Sequence, residues 1–153
     1  TAVQSVQQDF DFIFIDCPPS LGLLTINALG AADSVLIPIQ CEYYALEGVA
    51  SLMNTISRVK KTINPHLEIE GVLLTMLDGR TNLGLQVGDE VKKHFKKQVY
   101  ATVIPRSVRL GEAPSHGEPI HVYDKRSAGC VAYVNLAKEV LKRNNIKVKE
   151  FKL

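Results

Sequence analysis

The sequence contains no tryptophan and only three cysteines among its 153 residues. Cys17, Cys41 and Cys130 are odd in number and widely spaced, so neither a disulfide scaffold nor a structural zinc site is expected, and a reducing cytoplasm fits better. Long apolar runs are missing too: nothing approaches the ~18 residues that span a bilayer. Residues 1–11 hold no basic segment followed by an apolar one, so a signal peptide is not expected there. The four histidines, His66, His94, His116 and His121, show no His-x-x-x-His spacing, and the cysteines no Cys-x-x-Cys, which argues against a metal centre. Ser20 lacks a nucleophile-elbow pattern, and no histidine is placed by sequence to serve it. What is present is ordinary for one globular domain: 46% hydrophobic and 22% charged residues, with 10 Gly and 7 Pro. That is enough for a core and too apolar for wholesale disorder.

The formal charge of +2 hides a segregation. Residues 1–79 carry nine carboxylates against three basic side chains, and residues 80–109 carry seven basic side chains against Asp89 and Glu90. The tail, residues 142–153, is basic again, with five Lys/Arg against Glu150. Such asymmetry suggests a polyanionic partner for the second half, the alternative being Lys-rich helix faces that are merely solvated.

Apolar periodicity predicts strands alternating with helices. Phe12-Ile13-Phe14-Ile15 is a β-prone run stopped by Asp16 and Pro18-Pro19, and its apolar character at every position implies burial on both faces. A short apolar helix is expected over 21–31, a strand over 34–39, and an amphipathic helix from Ala45 to Ile63, ended by Asn64-Pro65. A strand follows over 71–76. Thr81 or Asn82 then caps a helix with Leu83, Val87, Val91 and Phe95 inward and Lys92, Lys93, Lys96 and Lys97 outward. A fourth strand over 99–104, a Pro/Gly-rich loop and a last helix capped by Ser127 complete the chain. This order implies right-handed crossovers and a mostly parallel sheet with flanking helices. Ligands bind such sheets beyond the carboxyl ends of the strands. Those ends carry Asp16, Gln40-Cys41-Glu42, Asp78-Gly79-Arg80 and Pro105-Arg106-Ser107.

An acidic residue closing a buried strand either caps a turn or holds Mg²⁺, often through water, beside the phosphates of a nucleotide. The surrounding residues bear on the choice. The stretches FIFIDCPPSLGLLTIN (12–27), SVLIPIQCEYYALEG (34–48), EIEGVLLTMLDGRTNLGLQ (68–86) and VYATVIPRSVRLGEAPSHG (99–117) closely resemble the ParA/Soj family of partitioning ATPases, in order, from about Asp11 to Lys142. The resemblance implies the α/β fold of a SIMIBI-type P-loop NTPase. By it, Asp16 matches the Walker B aspartate that holds Mg²⁺ through water, and Cys17-Pro18-Pro19-Ser20 the switch loop at the γ-phosphate. The loop Pro105-Arg106-Ser107 matches the adenine site. The family usually carries Asn at Ser107, whose shorter side chain weakens one base contact but not the pocket. Met76 and Asp78 are further candidates for that pocket, strand end and turn being the alternative for them. Arg80 and Arg109 match the arginines on which the family's non-specific DNA binding depends, and Lys92, Lys93, Lys96 and Lys97 lie between them. An Arg forks two donors onto phosphate oxygens without needing a base.

No Gly-x-x-x-x-Gly-Lys-[Ser/Thr] occurs in the chain. Residues 1–153 are therefore read as the C-terminal part of a ParA-type ATPase domain, from the Walker B strand to the last helix, with the P-loop part upstream. The resemblance implies that the intact protein is a cytoplasmic, nucleoid-associated homodimer. It would bind ATP and Mg²⁺ and non-specific DNA, and hydrolyse ATP on stimulation by a ParB-like partner. This chain alone is expected neither to bind ATP tightly nor to hydrolyse it. The family's P-loop strand would sit between the 12–15 and 34–39 strands, so direct re-pairing, strand exchange in a dimer, or an upstream half is expected to cover their edges. The alternative is a non-catalytic DNA- or ParB-binding module. A membrane-positioning relative is disfavoured because the tail has no amphipathic apolar face.

Overall fold

The computed structural model describes residues 3–18, 20–43 and 45–146. Its elements run α1 (Leu23–Ala31), β1 (Ser34–Gln40), α2 (Ala45–Thr62), β2 (Glu68–Thr75), α3 (Asn82–Phe95), α4 (Val108–Glu112), α5 (Ile120–Tyr123) and α6 (Ala128–Arg143). The chain forms two compact units, Thr1–Leu36 with Glu47–Glu70, and Ile37–Leu46 with Gly71–Leu153. β1 and β2 pair as a two-stranded sheet. The pairing is parallel, because Glu68 N–H donates to Asp33 O at one end and Cys41 N–H to Thr75 O at the other.

In the first unit, Asn64 Nδ2 donates to the carbonyls of Leu29 and Ala32, satisfying the C-terminal end of α1. Leu29, Ile56, Val59 and Leu67 are buried there; along α2 the apolar positions Val49, Leu52 and Met53 are half-buried, Ile56 and Val59 buried, and Ile63, just past its end, exposed. The expected strand at 12–15 does not form. Among the described residues, Phe12 to Asp16 joins no ladder, and Phe14 is 76% exposed. Nor does this run re-pair with β1: among the described residues the sheet has two strands, β1 and β2. A β-prone sequence still needs a partner backbone to bond with, and its composition says nothing of where that partner is.

In the second unit, burial along β2 is continuous from Gly71 to Leu74, as expected of a strand covered on both faces. β1 instead alternates, with Ile37 and Ile39 buried and Pro38 exposed. A proline, having no N–H to give, is tolerated in such an edge strand. Gly71 permits the close approach of Tyr100 and Arg143: a Cβ there would lie 2.5 Å from Tyr100 Cε2 and 2.8 Å from Arg143 Nη1.

The expected fourth strand is broken into isolated parallel bridges, Val72 with Val99 and Leu77 with Pro105. Tyr100 N–H donates to Val72 O and Ile104 N–H to Leu74 O, so four residues advance against two. The excess bulges outward, where the Glu139 carboxylate accepts the N–H groups of Ala101 (2.8 Å) and Thr102 (2.9 Å). Burial opposes ionisation of Glu139, but those two N–H donors and Arg143 outweigh it and hold the carboxyl below its ordinary range. Arg143 donates to Gln98 O, Val99 O and Glu139, and its guanidinium stacks 3.8 Å from the Tyr100 ring centroid.

Thr81, one of the two candidates in the sequence, caps α3 by accepting Gly84 N–H, and Ser127 caps α6 by accepting Cys130 N–H, as read from the sequence. The inward face of α3 is Gly84, Val87, Gly88, Val91 and Phe95, whereas Leu83, expected inside, is exposed. The loop expected after Pro105 is largely helical: α4 runs into a 3₁₀ turn, Ala113–His116, that Gly117 ends at φ +67°.

Candidate functional site

The second unit gathers three parallel segment ends. Cys41 N–H bonds to Thr75 O, Leu77 N–H to Ile104 O, and Arg106 N–H to Leu77 O. Thus Gln40-Cys41-Glu42, Met76-Leu77-Asp78 and Pro105-Arg106 stand side by side at one sheet edge, where a crossover sheet binds ligands. Met76 turns the chain there at φ +52°, a left-handed conformation that non-glycine residues seldom adopt, shared in this chain by Lys96 and Asn145 just past the ends of helices. Its Sδ accepts from Gln40 Nε2 at 3.1 Å. Ser107 begins α4 in extended conformation, with no side-chain cap bond. Cys41 is buried below this edge, and burial pushes its thiol up against the opposing pull of Lys92.

Charge alternates across the same edge. Arg106 Nη2 donates to Glu42 Oε1, joining the third segment to the end of β1. Arg80 binds Asp78 with both prongs, Nε to Oδ1 at 2.9 Å and Nη2 to Oδ2 at 2.7 Å, while Arg80 N–H also reaches Oδ1. These bonds, chiefly those from the Arg80 side chain, hold the Asp78 carboxyl well below the usual range. Arg109 lies 2.9 Å from Glu112 and 3.5 Å from Asp124. Lys93 pairs with Glu90, and Lys92, Lys96 and Lys97 are exposed beside it along the end of α3 and the turn Lys96–Gln98.

The structure therefore brings Met76, Asp78, Pro105 and Arg106 together and ties Arg80 to them through Asp78. Asp16 and Pro18 belong to the first unit, on the exposed irregular segment; Pro19 lies outside the described residues. The 147–153 part of the basic tail also lies outside them. Among the described residues, no set of three or more His, Cys, Asp or Glu side chains could hold a metal ion. No described helix is long and apolar enough to cross a membrane. Glu112 and Asp124 were not singled out by sequence as site residues, and Glu42 only as part of a strand end. The acid three residues after Arg109 is the one local signal that could have found Glu112.

A family model described as "AAA domain" matches residues 1–69. The sporulation initiation inhibitor protein Soj of Bacillus subtilis is 67% identical over 91% of this chain and 55% of its own length. The chromosome partitioning protein ParA of Myxococcus xanthus is 56% identical over 95% of this chain and 52% of its own. The chain belongs to the ParA/Soj family. It spans about half the length of the curated relatives it matches. Among solved structures, cobyrinic acid a,c-diamide synthase from Mycobacterium smegmatis with bound ADP and magnesium superposes at TM-score 0.75. That match is 35% identical and covers 99% of this chain and 56% of that one. The parallel strands and flanking helices of this ParA/Soj chain are accordingly those of the P-loop NTPase fold.

Proposed function

We propose that the full-length gene product carries out chromosome or plasmid partitioning, as an ATP-dependent dimer that binds DNA of any sequence and hydrolyses ATP when a ParB-like partner stimulates it. The observation that best supports this reading is the junction at Leu77-Asp78. Leu77 O accepts the Arg106 N–H of the candidate adenine loop, and Asp78 holds Arg80 of the candidate DNA surface. Nucleotide and phosphate-backbone sites then meet at one strand end.

Residues for the base end of a nucleotide fit the gathered edge: Met76, Asp78, Pro105, Arg106 and Ser107, with backbone groups and a proline ring to meet a purine. Asp16 would hold Mg²⁺ through water, and Pro18 would lie in the loop facing the γ-phosphate. Bound ATP·Mg²⁺ supplies a cleavable γ-phosphate to the intact protein. The 153-residue polypeptide alone has no phosphate-cradling loop in its sequence, so it neither binds ATP tightly nor hydrolyses it. Hydrolysis by that polypeptide at the rate of relatives that contain the loop would contradict this.

DNA binding is tested on the full-length gene product with a labelled duplex of arbitrary sequence, with and without ATP·Mg²⁺. Affinity should fall steeply with salt and vary little with sequence. Replacing Arg80 and Arg109 with Ala should lower the slope of log K against log salt by about 2, near 0.9 per lost phosphate contact. Unchanged affinity and slope in that double variant would overturn the proposed surface.

A further inference from the structure

Both candidate phosphate-binding arginines already hold anions of their own chain. Arg80 is 87% exposed at its side chain, as a DNA contact should be, yet both prongs of its guanidinium lie on Asp78. Arg109 is held more loosely, by one hydrogen bond to Glu112 and an ion pair with Asp124 at 3.5 Å. A carboxylate presents two oxygens with nearly the geometry of a phosphate oxygen pair, so DNA must compete with it for the same donors.

Asp78 differs from the other masks in its neighbours. It is flanked by two cations, Arg80 in contact and Arg106 on the adjoining segment, whose charge also favours its ionised form. Arg106 is itself shared with Glu42. The four groups form an alternating row, Glu42, Arg106, Asp78, Arg80, leading from the candidate adenine loop to the candidate DNA surface.

We propose that Asp78 is an intramolecular competitor for DNA phosphate at Arg80, and that Arg106 sets how firmly it competes. A change at the adenine loop that parts Arg106 from Glu42 gives Asp78 a second cation, loosens its hold on Arg80 and raises DNA affinity. This inference rests on the reading of Arg80 as a phosphate contact.

The test is a salt series of binding to a labelled arbitrary-sequence duplex by the full-length gene product. Asp78→Asn keeps an oxygen to accept the Arg80 N–H, so the turn is preserved while the competing charge is lost. It should bind DNA about fivefold tighter, near the upper limit for releasing an exposed ion pair, with a slope steeper by about 1. Asp89→Asn, which removes an exposed charge on α3, controls for the general gain from losing a negative charge. Glu42→Gln should also tighten binding, and should add nothing beyond that control in an Asp78→Asn background. Asp78→Ser, smaller and still a turn former, repeats the measurement should Asp78→Asn fold poorly.

The gain from Asp78→Asn should vanish when Arg80 is Ala. Affinity and slope equal to those of Asp89→Asn, or a gain that persists without Arg80, would overturn the proposal while leaving the DNA surface standing. Wild-type affinity and slope in Arg80→Ala alone would instead overturn the reading beneath it.

Discussion

Val72-Leu73-Leu74 in β2 is sealed between neighbours, each residue under 5% exposed, whereas Ile13-Phe14-Ile15 stands in solvent at 39–76%. Both runs are short and apolar at every position, and the exposed one holds the more strand-prone residues. The difference is backbone partners. β2 is bonded to β1 on one side and to the bulged 99–105 segment on the other, while no described residue forms a ladder with 12–15. A fully apolar run states what a strand needs; its partners decide whether that need is met.

The largest expected effect follows from this contrast. In the 153-residue polypeptide, Leu74→Ala should cost about 3 kcal/mol of unfolding free energy in urea, the usual range for a fully buried leucine. Phe14→Ala should change it by less than about 0.5 kcal/mol, as for a surface site, and should reduce self-association in light scattering. Equal losses in the two variants would break the contrast.

A second test concerns the edge of the bulged segment. Glu139→Gln keeps one acceptor oxygen but loses the charge that binds Ala101, Thr102 and Arg143. It should cost about 2 kcal/mol at neutral pH, as for hydrogen bonds to a charged group. The sign with pH follows from the folded carboxyl ionising below the ordinary value of 4.5. Its contribution is full above that value and is lost as pH falls through the lower, folded value. The gap between wild type and Glu139→Gln should therefore close on acidification, measured by urea unfolding at a series of pH values.

The smallest effect sharpens the account of α3. Gly88 is buried in mid-helix, and a Cβ there would meet Leu74 Cδ1 at 3.5 Å, an ordinary contact. Gly88→Ala should stabilise the polypeptide by about 0.5–1 kcal/mol through helix propensity and reduced unfolded-state freedom. Thermal melting reads this directly.

The sequence made legible what depends on local chemistry. The cap Ser127, a cap at Thr81 or Asn82, the amphipathic course of α2, the buried β2 and the strand-end position of Met76, Asp78 and Arg106 all follow from residue type and spacing. Leu83 was misplaced because small residues, Gly84 and Gly88, take the inward positions of α3, and an apolar pattern does not register glycine. The break in the 99–104 strand was illegible because it depends on Glu139, 37 residues beyond Thr102. The pairing of Asp78 with Arg80 was hidden in plain view: the Asp-Gly-Arg turn gives proximity, but only side-chain geometry shows both prongs engaged.

Amide hydrogen exchange on the 153-residue polypeptide tests the central contrast most directly. The amides of Cys41, Leu77, Tyr100 and Ile104, which donate between segments, should be strongly protected, and those of Ile13, Phe14 and Ile15 should exchange at nearly the free-chain rate. Comparable protection at 13–15 would mean that this run has found a partner, and would contradict the account.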